Sequence, residues 1–139
     1  METIVAEIIE IIKGASDSIE SEEKIRHYFE QIQCQAVGKA WERIDEELSK
    51  TYKEKGWQTA RRDERTIQAS YGAVTFRRRL MKKEGEKSIY PLDHELGIRP
   101  YQRYTEYFGY TVAQIGAKSV YRATAFAVNT LSPAAISHQ

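Results

Sequence analysis

Residues 4–12 place Ile4, Val5, Ile8, Ile9, Ile11 and Ile12 three and four apart, with Glu7 and Glu10 between them. Apolar positions at that spacing share one side of a helix. Lys13 and Gly14 supply a cation and an αL-tolerant residue at its C-terminus. Ala15-Ser16-Asp17-Ser18 then reads as a polar link with several candidate N-caps. A second, long helix is predicted from Glu22 to Lys55, stopped by Gly56. Its stripe is Ile25, Phe29, Ile32 and Ala36, continued by Ala40, Ile44 and Leu48. The last two rotate off the face of the first four. Gly38 stands where that drift begins, so a bend or a change of packing partner is expected there. So long a helix has little of its own chain to lie against, and pairing with the first helix and with a second copy is expected.

From Trp57 the period shortens to two. Thr66 to Tyr71 alternates, Gly72 punctuates, and Val74, Phe76 and Leu80 recur at even positions, the pattern of a β-hairpin. A stretch near Trp57–Arg61 is predicted to add a strand before it, and Ser88-Ile89-Tyr90 one after it. Pro91 to Gly97 reads as a tight connector in which Asp93 serves a local cap or turn. Helical spacing returns over 102–116 (Tyr104, Tyr107, Phe108, Val112, Ile115) and after Ser119 (Val120 to Leu131). Ser132-Pro133 breaks the last helix, and Ser137 is placed to cap another. The predicted fold class is α+β: an N-terminal helical hairpin with a long second helix, a small antiparallel β-meander, then C-terminal helices resembling a truncated helix-turn-helix. The corresponding regions are 1–56, acidic and helical; 57–92, a basic sheet; and 93–139, helical.

The chain has 139 residues, 41% hydrophobic and 29% charged, which suits one compact domain or two small modules. A single cysteine excludes a disulfide framework or a Cys-rich zinc module and fits a reducing cytoplasm. No apolar run approaches the roughly 18 residues that span a bilayer, and the acidic start lacks the basic n-region of a secretory signal. A cytoplasmic chain without a membrane partner is therefore expected. The net charge of +1 conceals an asymmetry. Residues 1–50 carry 6 basic and 12 acidic side chains, and residues 51–139 carry 15 and 8. Within 53–87 the ratio is 11 to 5, a clustered cationic footprint of the kind that faces a polyanion.

Arg77-Arg78-Arg79 with Lys82 and Lys83 lies on the second hairpin strand. Alternation puts Arg77 and Arg79 on one face and Arg78 with Phe76 and Leu80 on the other. With Arg61, Arg62 and Arg65 from the neighbouring strand these would form a guanidinium surface. Arginine forks match phosphate oxygens, and a two-stranded ribbon can enter a DNA groove. The plainer alternative is a solvated sheet face paired locally with Asp63 and Glu64. Arg78, on an apolar face, is expected to snorkel or to pair with a carboxylate. His27 and Cys34, seven apart on one helix, are too sparse for a metal site and read as surface groups. No Walker loop, dinucleotide fingerprint or nucleophile elbow is present, and the sequence offers no catalytic cluster.

Gly56-Trp57, Arg62-Asp63-Glu64-Arg65-Thr66, Tyr71 to Arg78, Tyr90-Pro91-Leu92-Asp93, Leu96-Gly97, and Ser132-Pro133 to Ser137-His138-Gln139 occur here in order. That succession resembles the N-terminal region of bacterial insertion-sequence transposases of the ISLre-two type, a group long carried as uncharacterised. The resemblance implies a DDE-type transposase whose RNase H-like catalytic domain, absent here, would follow. Its acidic triad would hold two divalent ions for strand cleavage and transfer. No cofactor is expected in this chain itself, and the zinc-binding cysteines of related transposases are missing. Asp93 and Glu95 match the connector of the resembled family and take no catalytic role. The chain is thus expected to be a fragment that binds double-stranded DNA at transposon ends. Arg61, Arg62, Arg65, Arg77, Arg79, Lys82, Lys83, Ser137, His138 and Gln139 would contact DNA, and the helices would pair with a second copy or with full-length transposase. The alternative is a stand-alone helical interaction module that regulates full-length transposase by mixed oligomerisation.

Overall fold

A computed structural model describes residues 1–119 and 121–133. Within them the order is α1 (Glu2–Gly14), α2 (Ser18–Glu54), β1 (Gln58–Ala69), β2 (Gly72–Lys82), α3 (Pro91–Leu96), α4 (Glu106–Gly116) and α5 (Tyr121–Leu131). The arrangement is α+β, with helices before and after one two-stranded antiparallel sheet. The sheet is narrower than the predicted meander. The stretch from Gln58 is the start of β1 itself, continuous with the hairpin through an irregularity between Thr59 and Arg61. Ile89 contributes one bridge, exchanging amide and carbonyl bonds with Met81.

The link between the helices does what its composition implies. The Asp17 carboxylate accepts the Glu20 amide at 2.8 Å, so α2 begins at Ser18, four residues earlier than its apolar pattern indicates. Glu20 reaches back to Ser16, and hydrogen bonds from Lys24 and then from Ser16 hold its carboxyl down to about 2. α1 ends through Ala15 in an extended conformation, so the freedom of Gly14 is not used there. Gly56, at φ 92, does turn the chain out of α2.

The second half of α2 lies along β2. Its core stripe is Cys34, Val37, Trp41, Ile44 and Leu48, packed with buried Ile67, Ala69, Val74, Phe76 and Leu92. Ala36 and Ala40, expected in that stripe, are exposed. Trp41 and Phe76 meet edge to face at 5.0 Å, an arrangement worth about 1 kcal/mol beyond its buried area. Cys34 is half-buried rather than on the surface. Its thiol points to the Tyr71 carbonyl at 3.6 Å, and burial, then Glu30, pushes its pKa up. Gly38 lies inside the continuous α2, where the helix meets β2. A Cβ there would stand 2.9 Å from the Thr75 carbonyl oxygen, so the glycine lets helix and strand backbones touch.

A lone hairpin is marginal in water because its outer edges remain unpaired. Here the β2 edge is paired at three amides and the β1 edge at one residue. Glu42 accepts the Arg77 amide at 2.8 Å, Asp45 accepts the Arg79 amide at 3.0 Å, and Ile89 takes that of Met81. On the β1 side, Gln68 pairs with Arg103 and Thr105. The turn is Ser70-Tyr71, and Gly72 opens β2 at φ 137, where a Cβ would stand 2.7 Å from the Cys34 sulfur.

The expected connector is a short helix, α3, begun by Pro91 and ended by Gly97 at φ 69. α4 begins at Glu106, where the Thr105 hydroxyl accepts the Phe108 amide, and its Phe108 packs with Val128 of α5 in a small second cluster. The predicted helix after Ser132-Pro133, with Ser137, His138 and Gln139, lies outside the described residues. Among the described residues no helix is long and apolar enough to cross a membrane.

Candidate nucleic-acid interface

The hairpin register sorts the predicted arginines onto two faces. Arg62 stands opposite Arg79, and Glu64 opposite Arg77, so these share the face away from the core. Arg61 stands opposite Leu80 and Arg65 opposite Phe76, on the core side. The single guanidinium surface expected from the sequence is therefore divided. Lys82 and Lys83 lie at the far end of β2, where the Lys83 ammonium donates to the Lys55 carbonyl at 2.9 Å.

The outer face acquires cations that the sequence reading missed. One helical side of α2 brings Lys39 and Arg43 beside Arg62 and Arg79, and with Glu42 and Glu46 they line a shallow groove of about 370 Å³. Arg77 adjoins it as the register neighbour of Arg79 on the same face. The helix carboxylates are partly turned inward. Asp45 is buried, accepting both the amide of Arg79 and its guanidinium at 2.7 Å, and Glu42 binds the Arg77 amide. Lys39, Arg43, Arg62 and Arg77 make no side-chain ion pair among the described residues and are exposed. The half of the chain that is acidic by composition thus hides key carboxylates at the strand edge and presents cations beside it. The i, i+4 spacing of Lys39 and Arg43 was the available signal.

On the core-side face Arg65 and Arg78 are held internally, while Arg61 remains exposed. Arg78 is buried, as expected of a cation on an apolar face, with its guanidinium 3.2 Å from the Asp93 carboxylate and 3.9 Å from the Tyr90 ring centre. Arg65 reaches the same carboxylate at 2.8 Å. Asp93 is therefore the shared counter-ion of two guanidiniums, and its expected role as a local cap is corrected: buried charges require a partner, and this one has two. Asp63 accepts from the Tyr90 hydroxyl and from Arg61, and those bonds, in that order, lower its pKa. Next to this network lies a cleft of about 910 Å³, lined in part by Lys87, His94, Tyr101 and Arg103.

A second missed signal is the spacing Tyr101, Tyr104, Tyr107, Tyr110, one tyrosine every three residues. All four are exposed, running from the loop before α4 onto its first turns. No group of three or more His, Cys, Asp or Glu among the described residues could hold a metal ion.

The profile of an uncharacterised protein family (UPF0236) matches residues 16–139. A curated relative, described as the UPF0236 protein in the vanSb 3′ region of Streptococcus gallolyticus, is 32% identical over 137 residues. The alignment takes in 99% of this chain but 30% of that protein, so the chain spans less than a third of its relative's length. No solved structure matches. With the profile covering nearly the whole chain and the relative aligned almost end to end with it, the chain belongs to the uncharacterised protein family UPF0236.

Proposed function

We propose that this chain is the DNA-binding and assembly region of a DDE-type insertion-sequence transposase, whose chemistry would reside in a catalytic domain outside it. The observation that carries the reading is the convergence of Lys39, Arg43 and Arg62 at one groove, from a helix and a hairpin, with Arg77 next to it on the same strand face and Glu42 and Glu46 as the acidic part of the lining. Exposed cations that form no ion pair with the neighbouring glutamates suit phosphate oxygens, and such contacts position a protein on duplex DNA without reading sequence. The ordered motifs shared with insertion-sequence transposases support the choice of DNA as the polyanion. Of the other predicted contacts, Arg65 is nearly buried and already held by Asp93, whereas Arg61 is exposed and pairs with Asp63. Duplex DNA is expected to bind with an affinity that falls with added salt at a logarithmic slope of about −3 to −4, from four phosphate contacts. Fluorescence anisotropy between 50 and 200 mM salt measures it, with both concentrations set by about the range over which counterion release is read. A flat response contradicts the reading.

Assembly is assigned to the N-terminal helices. Val5, Ile9 and Ile12 of α1 are exposed, as are Ile19 and Phe29 of α2, and α1 buries no residue. These side chains favour the second reading as well, an interaction module acting by mixed oligomerisation. Sedimentation of the chain is expected to show concentration-dependent self-association, abolished by Val5→Glu with Ile9→Glu. A monomer at all concentrations removes the assembly role.

A further inference from the structure

The loop between α3 and α4, residues 97–105, is tied down along its length. The Gln68 amide donates to the Arg103 carbonyl at 2.8 Å, and the Thr105 amide to the Gln68 carbonyl at 3.0 Å. Arg65, itself fixed by Asp93, donates to the carbonyls of Arg99 at 2.8 Å and Gln102 at 3.0 Å. The Gln102 side chain closes the inside, accepting the Arg99 amide and donating to the Tyr104 carbonyl. At the apex, Tyr101 has φ 64, the one non-glycine in the left-handed region among the described residues. Its side chain is 97% exposed.

The backbone of Tyr101 follows Pro100 in a tight turn closed by the Gln102 amide on the Arg99 carbonyl at 3.2 Å, but its ring contributes nothing to the fold. The left-handed conformation costs a bulky residue about 1 kcal/mol or more, which glycine would avoid, and a solvated ring gains no burial. The turn and the bonds around it hold the Tyr101 ring out from the surface, at a position where glycine is the usual residue. The ring also has company. Tyr104, Tyr107 and Tyr110 follow at 40%, 70% and 62% exposure. Arg103 and Lys87, which make no ion pair among the described residues, line the cleft beside it. Residues 97–105 contain no carboxylate.

Aromatic rings interleaved with cations match the chemistry of unpaired nucleotides. Each base offers a π-face regardless of sequence, and the cations track the phosphates. A paired duplex keeps those faces stacked internally, so a displayed ring finds a base only where pairing ends. We propose that Tyr101 stacks on an unpaired base at a DNA end, with Tyr104 and Tyr107 continuing along the strand and Arg103 and Lys87 on its phosphates. This rests on the DNA-binding reading above and adds a single-strand site on the core side of the hairpin, opposite the duplex groove.

The test compares the chain's affinity for a blunt duplex and for the same duplex with a single-stranded DNA tail carrying 5-iododeoxyuridine. The tailed duplex is expected to bind about tenfold more tightly, the scale of one stacked base, and to photo-crosslink at Tyr101. Tyr101→Ala abolishes the preference while Tyr101→Trp keeps it, and both leave blunt-duplex affinity unchanged. Tyr101→Gly, at home at this φ, removes the ring without backbone strain and is expected to match Tyr101→Ala, which separates stacking from folding. If both ring deletions retain the tail preference while blunt duplex still binds, this inference fails and the duplex reading stands. If blunt duplex does not bind at all, the underlying reading fails. A preference for an RNA tail over a DNA tail overturns the assignment to DNA.

Discussion

Asp93→Ala is expected to destabilise the chain by about 3–5 kcal/mol, the range for removing one partner of a buried ion pair. Its carboxylate is the counter-ion of Arg78, buried at the core, and of Arg65, nearly so. Without it both guanidiniums stay in a poorly solvated site, and the Asp63 carbonyl, the Tyr90 ring and the carbonyls of Arg99 and Gln102 remain as direct partners, with the Asp63 carboxylate acting on Arg78 from a distance. The direct partners ease desolvation but supply no opposite charge. Urea denaturation reads the effect as a midpoint lowered by about 2 M, given typical slopes of about 1–3 kcal/mol/M. Asp93→Asn keeps the shape and one acceptor, so a smaller loss of the same sign is expected. A change below about 1 kcal/mol in Asp93→Ala would show that the network carries no structural weight.

Replacing Lys39, Arg43, Arg62 and Arg77 together by Gln is expected to lower duplex affinity by about three to four orders of magnitude at 0.1 M salt. Each lost phosphate contact removes about 0.9 from the logarithmic salt slope and close to a factor of ten at that concentration. The four side chains are exposed, so the fold is expected to change by no more than about 0.5 kcal/mol per site. Arg79 is left in place because Asp45 already neutralises it and its amide closes the strand edge. Replacing Lys82 and Lys83 instead, the pair that looks equally basic in the sequence, is expected to have a far smaller effect, since both lie at the other end of the strand. An equal logarithmic loss per charge removed in the two variants would mean that binding follows total charge and not the groove.

Much of the architecture was legible because it depends on local chemistry. Asp17 caps α2 through its own side chain, Gly56 ends the helix with its own backbone, and the alternation of Val74, Phe76 and Arg78 sets which side of β2 is buried. Arg78 is the clearest case: a cation in an apolar stripe must find a counter-charge, and it does. What failed had long-range causes. The face that α2 buries is chosen by the strand it meets, so Val37 and Trp41 replaced Ala36 and Ala40. The separate strand expected near Trp57–Arg61 merged with β1, since an irregularity in pairing leaves no mark on a single strand's composition. Cys34 looked peripheral because the hairpin turn that covers it lies far along the chain, at Tyr71 and Gly72.

The candidate site divides along the same line. By itself the sequence determined that the cations are concentrated in the hairpin, that Arg77 and Arg79 share a face, and that the first half of the chain is helical and acidic. These follow from residue identity and from the periods of helix and strand, which need no tertiary partner. Only the tertiary structure decided which charges remain available. It consumed Arg65 and Arg78 on Asp93, and it hid Asp45 and bound Glu42 at the strand edge. It also drew Lys39 and Arg43 from the acidic helix to the basic face. Charge is written residue by residue, but its availability to a ligand depends on burial and on the nearest opposite charge. Both are set by which distant segments come together.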